Sequence, residues 1–442
     1  MSVTDKSGYQ ESAVGWIPSE WQVTVIGDLA EVSAGGTPAT SHDEYWNPPE
    51  VPWMSSGEVH LRRVRSTEKK ISKLGLENSA AKVFPKKSIV MALAGQGKTR
   101  GCVAVLEAEA ATNQSLAAIY PSKLFETDFL FHNLDWRYKE LRSLSSGEGG
   151  RGGLNLSIIK SVPVALPPLP EQQKIAAILT TVDDKLEVIA CQIDATQTIK
   201  RGLMQTVFSR GVGIQDANGR WLAHTDLKDS EVGEIPVGWV VRSLESVANV
   251  ERGKFSARPR NDPKYFEDGN IPFIQTGDIA SSTRFVRKAS QFLNLKGLEV
   301  SKLFPVGTIF ITIAANIGDV AIAKTPMACP DSVVGINITA EVCDGTWLYY
   351  LLKNSKDYFD SRATQNAQKN INLQVLRPFL FALPPMLEQQ RVAEILSSLD
   401  EKLDVLSSKQ AQYKALKRGL MQKLLTGEWR VKLDAPEEAV AA

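Results

Sequence analysis

The chain has 442 residues, room for two to four domains of about 100–200 residues each. Hydrophobic residues make up 43% and charged residues 23%, which excludes whole-chain disorder, and Gly (31) and Pro (22) are too few for a collagen-like or linker-dominated chain. Lys and Arg (51) nearly cancel Asp and Glu (50), so a net charge of +1 announces no nucleic-acid binder, yet leaves a local basic face open.

The N-terminal ten residues are polar and lack an apolar signal core. Apolar runs such as 309–315 fall far short of the ~20 residues of a membrane span, so a soluble cytoplasmic protein is expected. Cys102, Cys191, Cys329 and Cys343 form no Cys-x-x-Cys pair and stand at no zinc-finger spacing from a His, so reduced thiols and no metal site are expected.

In chain order, β-rich runs at 88–93 and 103–106 lie between turn-forming residues, and 129–144 reads as helical. The proline run 166–170 then precedes a long helical stretch, with Glu171 placed in its first turn, where the helix dipole favours acids. Its apolar residues recur at spacings of 4 and 3: Ile175, Leu179, Val182, Leu186, Ile189 and Ile193. A second register follows at Ile199, Leu203 and Val207, as after a stutter. Further β-rich runs at 308–313 and 320–323 and a helical stretch at 347–359 precede a second proline run and a second seam, Val392, Leu396, Leu399, Leu403 and Leu406. Polar Gln410 and then Tyr413 extend that seam, and Leu416, Leu420 and Leu424 repeat the shifted register.

The chain is thus written twice. Leu166-Pro-Pro-Leu-Pro-Glu-Gln-Gln173 returns as Leu383-Pro-Pro-Met-Leu-Glu-Gln-Gln390, 217 positions later, and 19 of 40 positions are identical between 166–205 and 383–422. Fainter matches precede each copy: Gly15-Trp-Ile-Pro18 with Gly233-Glu-Ile-Pro236, Trp21 with Trp239, and 51–58 with 271–278. Two such long copies exclude a solenoid, whose repeats run about 20–50 residues, and fit a pseudo-two-fold duplication. Each constant unit predicts a helix of about 37 residues, about 55 Å long. Its apolar stripe is best covered by the other copy, paired antiparallel. The variable units predict mixed α/β domains with mainly antiparallel strands.

The charge is unevenly placed. Residues 60–100 hold eleven Lys/Arg against two acids, a local +9, and 251–302 hold ten against six, a local +4. In the second stretch Arg252, Lys254, Arg258 and Arg260 surround Phe255, the composition that phosphate contact plus base stacking would need. Two look-alikes carry less. Ala92-Leu-Ala-Gly-Gln-Gly-Lys98-Thr99 approaches a P-loop, but β-like residues follow it and its repeat partner lacks Gly-Lys-Thr. Asn47-Pro-Pro-Glu50 lacks the aromatic that would stack a flipped base. Neither a nucleophilic triad nor a paired-carboxylate set stands out, so no catalytic residue is expected.

The alternation of two variable and two constant regions resembles the specificity subunit of type I restriction-modification systems. The residues that carry the likeness are Leu-Pro-Pro-x-x-Glu-Gln-Gln, Ala-x-Ile-Leu-x-x-x-Asp-x-Lys-Leu (176–186, 393–403) and Lys-Arg-Gly-Leu-Met-Gln (200–205, 417–422), with Gly35-Gly-Thr-Pro38 and Asn-Leu at 155–156 and 372–373. The resemblance implies an α+β protein: two pseudo-two-fold-related mixed α/β target recognition domains joined by two long antiparallel coiled-coil helices. The expected boundaries are 1–165 and 216–382 for the recognition domains, 166–215 and 383–426 for the spacer helices, and 427–442 for a tail. Each domain would read half of a split, asymmetric site on double-stranded DNA, and the helices would set the gap. Two modification subunits carrying AdoMet would dock on the chain, joined in the restriction complex by two restriction/translocase subunits that use ATP and Mg. No cofactor is expected in this chain.

Matching the family's loop positions places DNA contact at Gly35, Gly36, Thr37, Pro38, Lys98, Thr99, Arg100 and Arg151 in the first domain. In the second it falls on Arg252, Gly253, Lys254, Phe255, Arg258, Arg260, Gln365, Asn366, Gln368 and Lys369. Leu179, Val182, Leu186, Ile189, Leu396, Leu399, Leu403 and Leu406 would hold the helix pair. Two rival readings are a standalone duplicated DNA-binding regulator and an NTPase using Lys98.

Overall fold

The computed structural model describes residues 7–95, 98–144, 153–363 and 370–433. They divide into two compact units, one built from 1–190 with 408–442 and the other from 191–407.

The first unit is a mixed α/β body around two sheets. One has five strands in the order Val32–Ala34, Leu116–Ile119, Ile89–Ala92, Val103–Leu106, Arg63–Val64. The other has four, in the order Lys69–Ile71, Val51–Met54, Ala110–Thr112, Val83–Phe84. Most pairs are antiparallel; Val103–Leu106 with Arg63–Val64 and Ala110–Thr112 with Val51–Met54 are parallel. Successive side chains of a strand face opposite ways. Ile89, Met91, Val103, Val105, Ala117 and Ile119 meet Leu130, Phe131 and Leu134 of the helix Thr127–Trp136. Val90, Ala92, Ala104, Leu106, Leu116 and Ala118 pack with Met54, Val59 and Phe84. Both faces are covered, so these strands read as unbroken apolar runs rather than alternating ones. The helix expected over 129–144 is two, Thr127–Trp136 and Tyr138–Ser143. Between them Arg137 turns its guanidinium to the Pro163 carbonyl at 2.6 Å and to Glu140.

The second unit repeats this plan. Its sheets run Ala248–Arg252, Val333–Ile338, Ile309–Thr312, Val320–Ile322 and Gln291–Leu293, Ile271–Phe273, Met327–Ala328, Leu303–Phe304. Ile309, Ile311, Val334 and Ile336 pack with Trp347, Leu348 and Leu351 of the helix Gly345–Asn354.

Two helices of 39 residues stand at equivalent places in the repeat, Leu169–Val207 and Met386–Leu424. The first begins inside the proline run rather than after it: Pro170 occupies the first turn, where a missing N–H leaves no bond unmade. Each unit contains the start of one long helix and the end of the other, running antiparallel. In the first, Asp183 meets Lys417 at 2.7 Å, and Ile175 and Leu179 share a core with Met421, Leu424 and Leu425. In the second, Lys200 pairs with Asp400, and Val207 shares a core with Val392, Ala393 and Leu396.

The shifted register read from Ile199 and Leu416 is corrected by the structure: these side chains are 56% and 50% exposed. Their neighbours Lys200 and Lys417 turn inward instead, because each meets the Asp of the facing helix. An ion pair thus occupies a place that apolar periodicity alone assigns to a leucine. Leu203 and Leu420 are half-buried, Val207 and Leu424 buried.

A buried carboxylate fixes the start of each long helix. Glu171 and Glu388 are 2% and 3% exposed. Trp21 Nε1 donates to Glu171 at 3.2 Å, and Trp239 Nε1 donates to Glu388 at 2.8 Å. The chain returning from the other helix completes each shell. Arg430 donates to Glu171 at 2.8 and 2.9 Å; the backbone N–H groups of Val212 and Gly213 donate to Glu388 at 2.9 and 3.0 Å, and His224 lies at 3.0 Å. The next residue is equally specific. Gln172 donates to the Pro167 carbonyl and accepts from Glu126 N, while Gln389 donates to the Pro384 carbonyl and accepts from Asp344 N, all within 2.8–2.9 Å. The repeated Pro-Pro-x-x-Glu-Gln-Gln segment is therefore a joint between globular body and helix.

Two outcomes follow. Trp239→Phe removes one donor to a buried carboxylate and should lower stability by about 1.5–3 kcal/mol in urea unfolding. Separately, burial and then Lys417, Arg62 and Arg63 hold the fully buried His132 down to about 3. The unfolded chain then binds a proton that the folded one refuses, so stability is lost as pH falls from about 6.5 toward 3, by up to about 1.4 kcal/mol per pH unit. His132→Gln should flatten that part of the pH–stability curve.

Candidate nucleic-acid interface

Loops that are far apart in sequence converge at one end of the sheet that holds Leu116–Ile119 in the first unit and of the sheet that holds Val333–Ile338 in the second. In the first unit Gly35 N donates to Leu116 O at 3.2 Å and Gly36 N to Thr112 O at 2.8 Å. Leu93 N donates to Ser115 O, and Leu154 N to Leu93 O, both at 2.8 Å. The 35–38 turn, the loop after Leu93 that carries Lys98, the 113–115 turn and the segment from 153 are thereby side by side. The second unit uses matching bonds: Gly253 N to Val333 O and Lys254 N to Cys329 O at 2.8 and 3.0 Å, and Ile313 N to Ser332 O and Ile371 N to Ile313 O at 3.0 Å.

The glycines make this convergence possible. A Cβ on Gly35 would stand 2.2 Å from Thr112 O, one on Gly36 2.3 Å from Ala80 C, and one on Gly253 2.3 Å from Pro330 O. Their close backbone approach is to the protein itself. Pro38 is buried beside them, and Thr37 donates to Gln114 Oε1 at 2.5 Å.

Lys98 is exposed, with its backbone carbonyl taken by Tyr138 Oη at 2.8 Å; Thr99 and Arg100 are half-buried. The strand before this loop returns as an antiparallel strand, Met91 opposite Val103, and among the described residues between them there is no helix. The described part of the P-loop look-alike therefore offers no helix N-terminus for a phosphate. Arg151, Gln365, Asn366, Gln368 and Lys369 lie outside the described residues.

The 252–260 loop alternates. Gly253, Phe255 and Ala257 are buried, and Arg252, Lys254, Arg258 and Arg260 are exposed, so the pleat gathers cations on the surface. Arg252 Nε reaches the Asp331 carbonyl, and Arg260 pairs with the Asp331 carboxylate at 3.0 Å. The stacking role expected of Phe255 is corrected: it is 5% exposed, packed with Phe266, Phe273 and Tyr265 at 5.0–6.0 Å between ring centroids. A base could reach that ring only by dismantling the cluster.

The +9 stretch also divides. Arg62 is bound by Asp135 at 2.7 Å and Asp183 at 3.2 Å, Arg63 by Glu107 at 3.2 Å and by Asp128, and Arg65 by Glu187 at 2.9 Å. Asp183 and Glu187 belong to the long helix, so Arg62 and Arg65 fasten the globular body to it. In the second unit Arg284 bonds Ser397, and Arg287 meets Asp404 at 2.7 Å. Apart from Arg65, which is exposed but paired with Glu187, the basic side chains exposed along this stretch are lysines, Lys69, Lys70, Lys86 and Lys87 among them. Of the residues assigned to the helix pair, Leu179, Val182, Ile189, Leu396 and Leu406 are buried, and Leu186, Leu399 and Leu403 half-buried. Gln114, which tips the 113–115 turn, escaped sequence reasoning because nothing in its neighbours' composition marks it.

The pattern of the type I restriction modification DNA specificity domain matches this chain twice, over residues 18–196 and 236–415. The chain belongs to that family. Among relatives, the type I restriction enzyme MjaVIII specificity subunit of Methanocaldococcus jannaschii is 27% identical over 94% of each chain, and the putative MjaX specificity subunit of the same organism is 24% identical over 97% of this chain and 98% of its own. A crystal structure of the type I restriction-modification S subunit from M. genitalium shares the fold, with TM-score 0.61 and 14% identity over 96% of this chain and 98% of that one. Each family match contains one globular body and the start of the long helix that follows it. Among the described residues no helix is long and apolar enough to cross a membrane, and no cluster of His, Cys, Asp and Glu could hold a metal.

The exposed–buried alternation of the 252–260 loop is open to a direct check. Phe255→Ala should cost about 3–5 kcal/mol in thermal or urea unfolding, whereas Lys254→Ala should stay within about 0.5 kcal/mol of the parent.

Proposed function

We propose that this chain is the DNA-specificity subunit of a type I restriction-modification complex and is itself non-catalytic. The observation that carries the reading is that the family pattern occurs twice, on two bodies of the same plan whose converging loops carry different side chains. Residues 1–165 and 216–382 are then two readers, each addressing half of a bipartite site. Because the loops differ, the halves differ, and the site is asymmetric. Arg252, Lys254, Arg258 and Arg260 supply phosphate or base contacts in the second reader, and Lys98, Thr99 and Arg100 do so in the first. Residues 166–215 and 383–426 act as a spacer, and 427–442 as a tail. A 39-residue helix is about 58 Å long at ~1.5 Å per residue, the length of about 17 base pairs.

Methyl transfer in this reading belongs to two modification subunits that carry AdoMet and dock on the chain. ATP and Mg belong to the restriction subunits.

The test is a single-molecule methylation map of DNA from cells holding this chain and its modification partner. A split, asymmetric motif with methyladenine in each half is the expected result; replacement of 1–165 by another such domain should change one half only. No new methylation with the assembled complex present would overturn the reading. Inserting one heptad into both long helices should lengthen the gap and leave the half-sites unchanged. Lys254→Ala should weaken the second half-site by about 1–3 kcal/mol if the lost contact is to a base, read by binding to DNA altered in one half at a time.

A further inference from the structure

Gln114 and Asp331 occupy the same place in the two copies. Three backbone bonds fix the match: Leu116 and Val333 accept from Gly35 and Gly253, Thr112 and Cys329 from Gly36 and Lys254, and Ser115 and Ser332 from Leu93 and Ile313. Gln114 lies between Thr112 and Ser115 as Asp331 lies between Cys329 and Ser332. The framework around the position is alike in both copies, glycine facing an apolar strand residue and serine bonding the next strand. The outward side chain is not alike.

In the first copy that side chain is an exposed amide held from one side. Asn113 N donates to Met54 O at 3.0 Å, and Ser115 N donates to Asn113 Oδ1 at 3.1 Å, so the turn is pinned. The Thr37 hydroxyl donates to Gln114 Oε1 at 2.5 Å. This leaves one lone pair on Oε1 and both Nε2 hydrogens uncommitted among the described residues. In the second copy Asp331 holds Arg260 through its carboxylate and Arg252 through its carbonyl, and so presents guanidinium groups. An oriented amide matches the N6 and N7 edge of adenine, and an oriented guanidinium the O6 and N7 edge of guanine. The same outward position therefore offers a different hydrogen-bonding chemistry in each copy on a like set of backbone bonds.

We infer that Gln114, held by Thr37, is a specificity-determining residue that reads an adenine in the half-site of the first domain. The inference rests on the DNA-specificity reading above. Gln114 accepts from the adenine N6 amino group through Oε1 and donates to N7 through Nε2. Thr37 is a positioning residue, since it limits the rotation that the amide would otherwise lose on binding.

The experiment replaces Gln114 and Thr37 in the full chain, co-expressed with its modification subunit, and maps methylated sites. Gln114→Glu removes the donor to N7 while keeping shape. It should lower methylation of the parental motif roughly 5- to 150-fold through a single base pair, leave the second half-site's base preferences intact, and relax or change the first at that one position. Thr37→Val should give a smaller loss at the same base pair. Gln114→Ala, which cannot form either bond, should lose preference there without acquiring a new one. Parental base preference at every position of both halves in Gln114→Glu and Gln114→Ala would overturn the inference while leaving the functional reading in place. A parental complex that methylates no DNA would bring down both.

Discussion

A carboxylate buried where each long helix begins organises the rest of the molecule. A carboxyl group in so dry a place is tolerable only if its bonds are supplied, and at each copy's joint they come from a tryptophan at the start of the globular body, the dipole of the helix's first turn, and donors on the chain that returns after the other helix. The neighbouring glutamine ties the proline run to the start of the helix over the sheet. Strand, helix and returning segment are thereby fixed in each unit. The same logic recurs along the helices, where Asp183 with Lys417 and Lys200 with Asp400 set the antiparallel register within each unit. Motifs that look like separate signatures in the sequence, the Asp of one stretch and the Lys of another, are two ends of one bond.

This division of labour frees the loops. The framework binds itself through glycines too tightly packed to accept a Cβ, through strands covered on both faces, and through arginines clamped to helix carboxylates. None of these depends on the side chains at the tips of the 35–38, 93–102 and 113–115 segments or of their counterparts. Exposed side chains there, such as Lys98 and Gln114, can be exchanged at little cost in stability, the property a module with interchangeable specificity needs.

The duplication, both long helices and the main strands were legible in the sequence, because each writes a long pattern: an echo 217 positions on, a 3.5-residue seam, an apolar run. The family followed from the same motifs. What failed was what depends on partners distant in sequence. The arginines of 62–65 read as a basic face because their carboxylates come from residues more than forty positions away. Ile199 and Leu416 fit the apolar period, yet an ion pair decided the rotation of the helices there. Phe255 sits among four cations in sequence, and the pleat of an extended segment sends it the other way. Gln114 was invisible because its meaning comes from Thr37, across the fold, and from its likeness in place to Asp331.

The claim at the centre is that equivalent loops of two like bodies face different half-sites. It is tested most directly by placing a photoreactive side chain at position 114 or, separately, at 331 in the assembled complex, and locating the cross-links on DNA carrying the methylated motif. The account predicts cross-links from 114 confined to one half and from 331 confined to the other. Cross-links from both positions to the same half, or from neither while the DNA stays bound, would contradict it.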